Sequence, residues 1–184
     1  VKMKVKEIMR AAAELAGRRD LSDYLAGAGG TDTAALQRDA AQMLRCFNLT
    51  ENEAALDYVP LVREETFLSD GKILFSAFSG RPVEVLAVRG ENGRKLHFRA
   101  DADGIFVRKG ETTVRYRFRP DVKSEGDETD FGCGERFLAL GAACEFSLME
   151  GALDRAAELD ARYKDALAAA GRQKNGHIRP RRWI

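Results

Sequence analysis

The hydrophobic period of this chain changes twice, and that double change constrains the fold more than any other feature. Up to Tyr58 the apolar residues recur at helical spacing. From Leu61 to Arg119 they alternate, and from Glu135 to Ala170 the helical spacing returns. Residues three and four apart share a helix face, whereas residues two apart share a strand face. One segment cannot satisfy both patterns, so the middle must be β and the flanks helical. The expected class is α+β, mainly α: a helical bundle with an antiparallel β insert, a long C-terminal helix and an extended C-terminal arm. The stretches are 1–60 (N-terminal helices), 61–120 (β insert), 121–134 (acidic, Gly-containing loop), 135–171 (long helix) and 172–184 (basic arm).

The helical stripes are explicit. Val5, Ile8, Met9, Ala12 and Leu15 define a first helix that Gly17 ends. Leu21, Tyr24 and Leu25 add a further turn, followed by a Gly27–Gly30 connector. Thr31, Asp32 and Thr33 supply N-cap candidates for a helix carrying Leu36, Ala40, Met43, Leu44 and Phe47. Asn48-Leu49-Thr50 reads as a break, with Thr50 and Glu53 forming a capping box for a third short helix. Pro60 ends it, because the residue before a proline is pushed out of the helical region. The last run, Glu135 to Ala170, reads as one helix ending at Gly171, with Gly151 as a break or a close helix contact.

In the insert, five or six short strands are expected. Ser69-Asp70-Gly71 reads as a hairpin turn joining a strand up to Leu68 with Lys72–Phe75. Pro82–Arg89 places Val83, Val85 and Ala87 on one face and Leu86 and Val88 on the other. Strands at Lys95–Asp101, Ile105–Arg108 and Thr112–Arg119 follow. In the last, Val114, Tyr116 and Phe118 alternate with Arg115, Arg117 and Arg119, one dry face and one wet face. The stretch from Asp121 to Gly134 reads as a mobile loop.

Composition excludes several classes. The 184 residues carry 30 basic and 29 acidic side chains, net charge +1, so nucleic-acid binding would need a local patch. No apolar run reaches the roughly 18–20 residues that span a bilayer. The basic start, Val1–Glu7, is followed by no apolar signal core, so synthesis in the cytoplasm is expected. Cys46, Cys133 and Cys144 match no zinc spacing. Cys46 and Cys144 sit in apolar helical runs and are expected inert, which leaves Cys133 as the accessible thiol. With His97 in a strand and His177 in the arm, neither histidine is placed to activate it.

Motifs for chemistry fall short. Gly27-Ala28-Gly29-Gly30 lacks the Lys-Ser/Thr of a phosphate loop. Asp101, Asp103 and Gly104 resemble the start of a calcium loop, but the next alternate position is Ile105 and the twelfth is Thr112 rather than Glu. Glu64 and Glu65 are neighbours on a strand and face opposite ways. No enzyme activity, cofactor or metal is expected. The Arg115, Arg117 and Arg119 stripe reads as a wet face guarding a sheet edge, or as a subunit contact for an acidic surface. The arm, Arg172–Ile184, carries five Arg/Lys and no acid and ends Arg179-Pro180-Arg181-Arg182-Trp183-Ile184. A lone Trp so far from a core suits burial in a neighbour, where Trp and Arg dominate contact energies. Pro180 holds Arg179 extended, as addition of a strand to a partner sheet would require.

The layout as a whole resembles the head–tail connector (adaptor) proteins of tailed bacteriophages and prophages. The features that carry it are the Leu36–Phe47 helix, the Asp57-Tyr58-Val59-Pro60-Leu61 and Glu64-Glu65 segment, the insert ending in Val114-Arg115-Tyr116, the Phe137–Ala170 helix and the Ile178–Trp183 ending. The resemblance implies a structural virion protein in the neck between capsid and tail. It implies a homo-oligomeric ring, usually of twelve copies, beneath the portal protein. Genomic DNA would pass through the channel without sequence-specific binding, and the next neck or tail protein would sit below. Arg179, Pro180, Arg181, Arg182, Trp183 and Ile184 become the portal-binding residues. Arg115, Arg117 and Arg119 become subunit-interface candidates. Residues 27–30 and 121–134 become segments that rearrange on assembly. Alternatives are another neck component, such as a stopper or tail-linked protein, and a small DNA-binding regulator using the basic arm.

Overall fold

The computed structural model describes residues 2–28, 33–132 and 135–174. The cap candidates Thr31 and Asp32, the thiol of Cys133 and the whole Arg179–Ile184 segment lie outside the described residues. The fold is α+β and mainly α, with five helices and two small antiparallel sheets among the described residues. The chain divides into two compact units. One holds the residues up to Val59 and from Val122 onward, the other Pro60–Asp121.

The helical unit contains α1 (Val5–Leu15), α2 (Arg19–Leu25), α3 (Thr33–Glu53), α4 (Glu135–Met149) and α5 (Leu153–Lys174). Its centre is α4. Phe137, Leu138, Leu140, Ala142, Ala143 and Phe146 are all buried. A helix that is apolar nearly all round must have neighbours on most sides, and α1, α3 and α5 pack on it. Gly141 is where the packing is tightest: a Cβ built there would lie 2.4 Å from the Thr50 methyl and 2.9 Å from the Tyr163 ring.

Two helical expectations are corrected. The run from 135 to 170 is two helices, and the second extends to Lys174, beyond Gly171. Gly151 adopts φ +76°. Its N–H reaches the Leu148 carbonyl at 3.1 Å, and the Ala152 N–H reaches Ser147 at 2.9 Å. That pair of bonds is a Schellman cap, which ends a helix through a left-handed residue. The break expected at Asn48–Thr50 is absent: α3 runs through it and continues into one wide π turn, Ala54–Tyr58. Phe47, Thr50, Ala54 and Ala55 keep burying against neighbours at helical spacing. Thr50 therefore faces Gly141 instead of capping, and Glu53 turns to Tyr163, whose hydroxyl donates to it at 3.4 Å.

The β unit contains β1 (Val62–Ser69), β2 (Lys72–Leu74), β3 (Arg81–Gly90), β4 (Arg99–Ala100), β5 (Gly104–Phe106) and β6 (Gly110–Arg119). They form two sheets, ordered β1-β6-β3 and β2-β5-β4, all pairs antiparallel. Ser69-Asp70-Gly71 does turn the chain, but β1 and β2 do not pair. The first pairs with β6 along its whole length, and β2 leaves for β5. Alternation tells a strand which face is dry, not which strand lies beside it. The strand expected at Lys95–Asp101 shortens to Arg99–Ala100, plus a bridge from Lys95 to Arg89. Two register shifts in β3 break the expected facing of its valines, leaving Val83 and Leu86 exposed and Val88 fully buried. An aromatic cluster fills the centre: Phe78 lies 4.7 Å from Phe67 and 4.8 Å from Tyr116, centroid to centroid.

Candidate functional site

The arginine stripe sits on the exposed side of the three-stranded sheet, and its strand is the central one. The idea that it guards an edge is therefore wrong: β1 and β3 are the edges. Register decides what each arginine meets, because residues directly opposite across antiparallel strands point to the same face. Arg115 is opposite Glu64, with Nε to Oε1 at 3.7 Å, and Arg89 reaches the same carboxylate at 4.0 Å. Arg117 is opposite Glu84, 3.1 Å away. Arg119 is opposite Arg81, which turns to Asp121 at 3.5 Å. Arg119 has no ion-pair partner among the described residues. The face is thus a lattice of both signs and not a uniform cationic stripe. Exposed Leu68 and Val62 extend it with apolar surface.

Glu65 points to the other side of β1, as strand geometry requires. Its carboxylate accepts from the Tyr116 hydroxyl and from the hydroxyl and N–H of Ser79. Burial alone would raise its pKa, but these donors outweigh it and hold the group below the ordinary carboxylate range. Burial, followed by the Glu65 contact, pushes the Tyr116 hydroxyl up. The pair locks the sheet onto its aromatic core and is structural.

The calcium-like segment has a local explanation. Asp101 Oδ1 accepts from the backbone N–H groups of Asp103 and Gly104 at 2.9 and 2.8 Å, and Oδ2 binds Lys72 at 2.9 Å. Its oxygens are spent on a turn and an ion pair. Among the described residues no group of three or more His, Cys, Asp or Glu is placed to hold a metal ion. Cys46 and Cys144 are buried, and burial pushes the Cys46 thiol up to about 11.

In the helical unit, the segment expected to be mobile is instead stitched down where it is described. The N–H groups of Val5 and Lys6, orphan donors at the start of α1, bond to Asp127 and Glu125 carbonyls at 2.9 and 3.1 Å. Lys4 and Glu128 form an antiparallel bridge. From α3, Asn48 clasps the Lys123 backbone. Glu51, only 1% exposed, accepts from the Thr129 hydroxyl at 2.6 Å and the Asp130 N–H at 3.0 Å. Lys123 and Asp130 pair at 2.8 Å beside it. Burial raises the Glu51 pKa, opposed by those donors and by Lys123.

Sequence reasoning missed Asn48, Glu51 and Arg18. A signal existed for Glu51, a carboxylate on the apolar spacing four residues after Phe47. Arg18 follows Gly17, whose left-handed backbone ends α1 and aims the next residue across the bundle. Its guanidinium binds Asp20 at 2.9 Å and also meets Asp39 and Glu150, joining α2, α3 and the end of α4. Around the α4–α5 turn, Leu148, Met149 and Leu153 are exposed.

No described helix is long and apolar enough to cross a membrane. No protein-family model matches the chain, and no curated protein matches it either.

Proposed function

We propose that this chain is a structural virion protein, a head–tail connector adaptor that forms a ring below the portal, joins capsid to tail and lines the DNA channel. The observation that carries the reading is the excursion at Pro60 and Asp121. A compact antiparallel β unit leaves a helical unit whose N- and C-terminal helices pack together, which is the layout on which the resemblance rests. The exposed sheet face supports it further. A closed ring needs one surface of each copy to fit a different surface of the next. A face bearing both charge signs in fixed rungs, with Leu68 and Val62 beside them, suits such a contact. Exposed Leu148, Met149 and Leu153 offer a second apolar surface. In this reading the protein works in the virion neck, and Arg179–Ile184 anchor each copy in the portal.

The test is co-expression with the portal protein encoded in the same genome, followed by electron microscopy of the purified particles. Full-length protein should form a ring under the portal. Trp183→Ala combined with deletion of Ile184 should leave the fold intact and weaken attachment. Ring attachment unchanged by that variant removes the arm from the reading. A folded full-length protein that does not bind the portal rejects the adaptor role. Another neck position would then stand if it bound tail components, and the regulator reading if it bound DNA through the arm.

A further inference from the structure

Apart from Arg119, the arginines of the two sheets divide into two populations. On the three-stranded sheet, Arg63, Arg81, Arg89, Arg115 and Arg117 each lie within 4.0 Å of a carboxylate oxygen. On the second sheet, Arg99 and Arg108 are exposed and have no ion-pair partner among the described residues. They line a shallow hollow of about 400 Å³ with His97, Phe98, Phe106 and Val107, and no carboxylate lines it. It is an open surface rather than an enclosed cleft.

Register builds the centre of this surface. Phe106 is opposite Lys72 on one side and Arg99 on the other, so the three side chains share one rung and one face. Phe106 is 44% exposed, an unusual cost for a phenyl ring on a small sheet, while Ile73 and Ile105 of the next rung are buried on the opposite face. Lys72 lies over the Phe106 ring at 4.8 Å and is held there by Asp101. Its charge is largely offset by that pair, which leaves Arg99 and Arg108 as the uncompensated cations. One side of the rung thus presents a half-exposed aromatic ring, with Lys72 over one face and free guanidinium groups beside it.

We propose that this rung is a binding platform for single-stranded nucleic acid, with a base stacked on Phe106 and the phosphates beside it on Arg99 and Arg108. The chemistry selects this ligand over its rivals. Stacking on an aromatic ring needs a base whose face is free, and a duplex hides its base faces. An acidic peptide would satisfy the guanidinium groups but gain nothing from the ring. The paired arginines of the other sheet lack the free charge, and the ring that one of them meets, Phe118 beneath Arg63, is buried. The inference does not depend on the connector reading, since it concerns isolated protein and no portal.

The test is fluorescence anisotropy of a labelled oligothymidylate with the full chain, against variants with verified thermal unfolding. Phe106→Ala should weaken binding about tenfold, toward the lower end of what one stacked base contributes. Phe106→Tyr should restore it. Arg99→Gln with Arg108→Gln should lower the slope of log affinity against log salt by about 1.4, roughly 0.7 per lost phosphate contact on a single strand. Arg115→Gln should change neither. Absence of binding at low salt overturns the proposal. So does binding unaffected by these substitutions, which would assign it elsewhere, for example to the arm that every variant retains. Equal or tighter binding of duplex, or of a polyglutamate peptide, overturns it as well.

Discussion

Asn48 and Lys123 are joined like residues on adjacent strands: the Asn48 amide donates to the Lys123 carbonyl at 3.1 Å, and its oxygen accepts from the Lys123 N–H at 2.7 Å. The same amide also donates to the Leu44 carbonyl at 3.0 Å. A side chain on α3 thus satisfies both backbone groups of a residue in the segment leading to α4. Asn48→Leu would leave both without a protein partner, and an unsatisfied buried polar group costs about 1–3 kcal/mol. Urea unfolding should show a loss in that range. Asn48→Asp should lose as much, because the donor is replaced by an oxygen facing two carbonyls.

Glu51 should give the fold a particular pH response. Its pKa is raised by burial, so the folded state holds this proton to higher pH than the unfolded chain, whose Glu titrates near 4.3. Between those two values the folded state binds more protons, and stability falls as pH rises. Below about 4.3 the group is neutral in both states and exacts no penalty. The facing charges are Lys123 and Asp130. Glu51→Gln should remove this fall, although its amide adds a pH-independent offset where Oε2 now lacks a partner. The readout is the slope of unfolding free energy against pH, wild type minus variant. A flat difference above pH 4.3 would refute the assignment.

Arg18 should behave as a three-way staple. Hydrogen bonds to charged groups contribute about 1.5–3 kcal/mol each when well buried. Here the side chains are 24–55% exposed, which reduces that considerably. Arg18→Ala should cost about 2 kcal/mol in total, read by urea unfolding. Arg18→Lys should recover less than half of it, because a single ammonium cannot spread over three carboxylates as a planar guanidinium does.

Much of this fold was legible in the chain. The start of alternation at Leu61 and its end at Arg119 lie within two residues of Pro60 and Asp121, because alternation is a local property. Helical spacing returns only at Glu135, however, and nothing local assigned residues 122–134 to the helical unit. What failed was whatever depends on distant residues. Gly151 read equally well as a break or a close contact, while Gly141, sitting quietly in a stripe, is where α3 and α5 approach α4. Thr50 and Glu53 have the spacing of a capping box, yet burial on both sides carried the helix through them. The Arg115–Arg119 stripe was visible as a face, but its carboxylates were not, since register with β1 and β3 chooses them. The unpaired cations around Phe106 were equally hidden, because a rung of three strands joins residues 72, 99 and 106.

Glycine substitutions separate these effects. Gly141→Ala forces a methyl into space already filled by Thr50 and Tyr163 and should cost about 1–3 kcal/mol, as overpacking does. Gly151→Ala meets no atom within 4 Å but must adopt the left-handed backbone, at about 1–2 kcal/mol. Gly126→Ala has neither problem and should lie within about 0.5 kcal/mol of wild type. Thermal unfolding of the three variants ranks them directly.

The exposed sheet face supplies the last prediction, which tests ring formation without the arm. Arg115 and Arg117 are bonded across strands to Glu64 and Glu84 in surroundings open to water. Exposed pairs of this kind contribute about 0–1 kcal/mol to a monomer. Replacing both arginines by glutamine should therefore leave monomer unfolding within about 1 kcal/mol. In an assembled ring the same pairs would be covered by the next copy, where removing one partner strands a desolvated carboxylate and costs far more. Sedimentation velocity should then show the double variant shifted toward monomer at concentrations where wild type associates, with unchanged unfolding. Equal association of both proteins would mean that copies meet through another surface, with the exposed Leu148, Met149 and Leu153 the next to be tested.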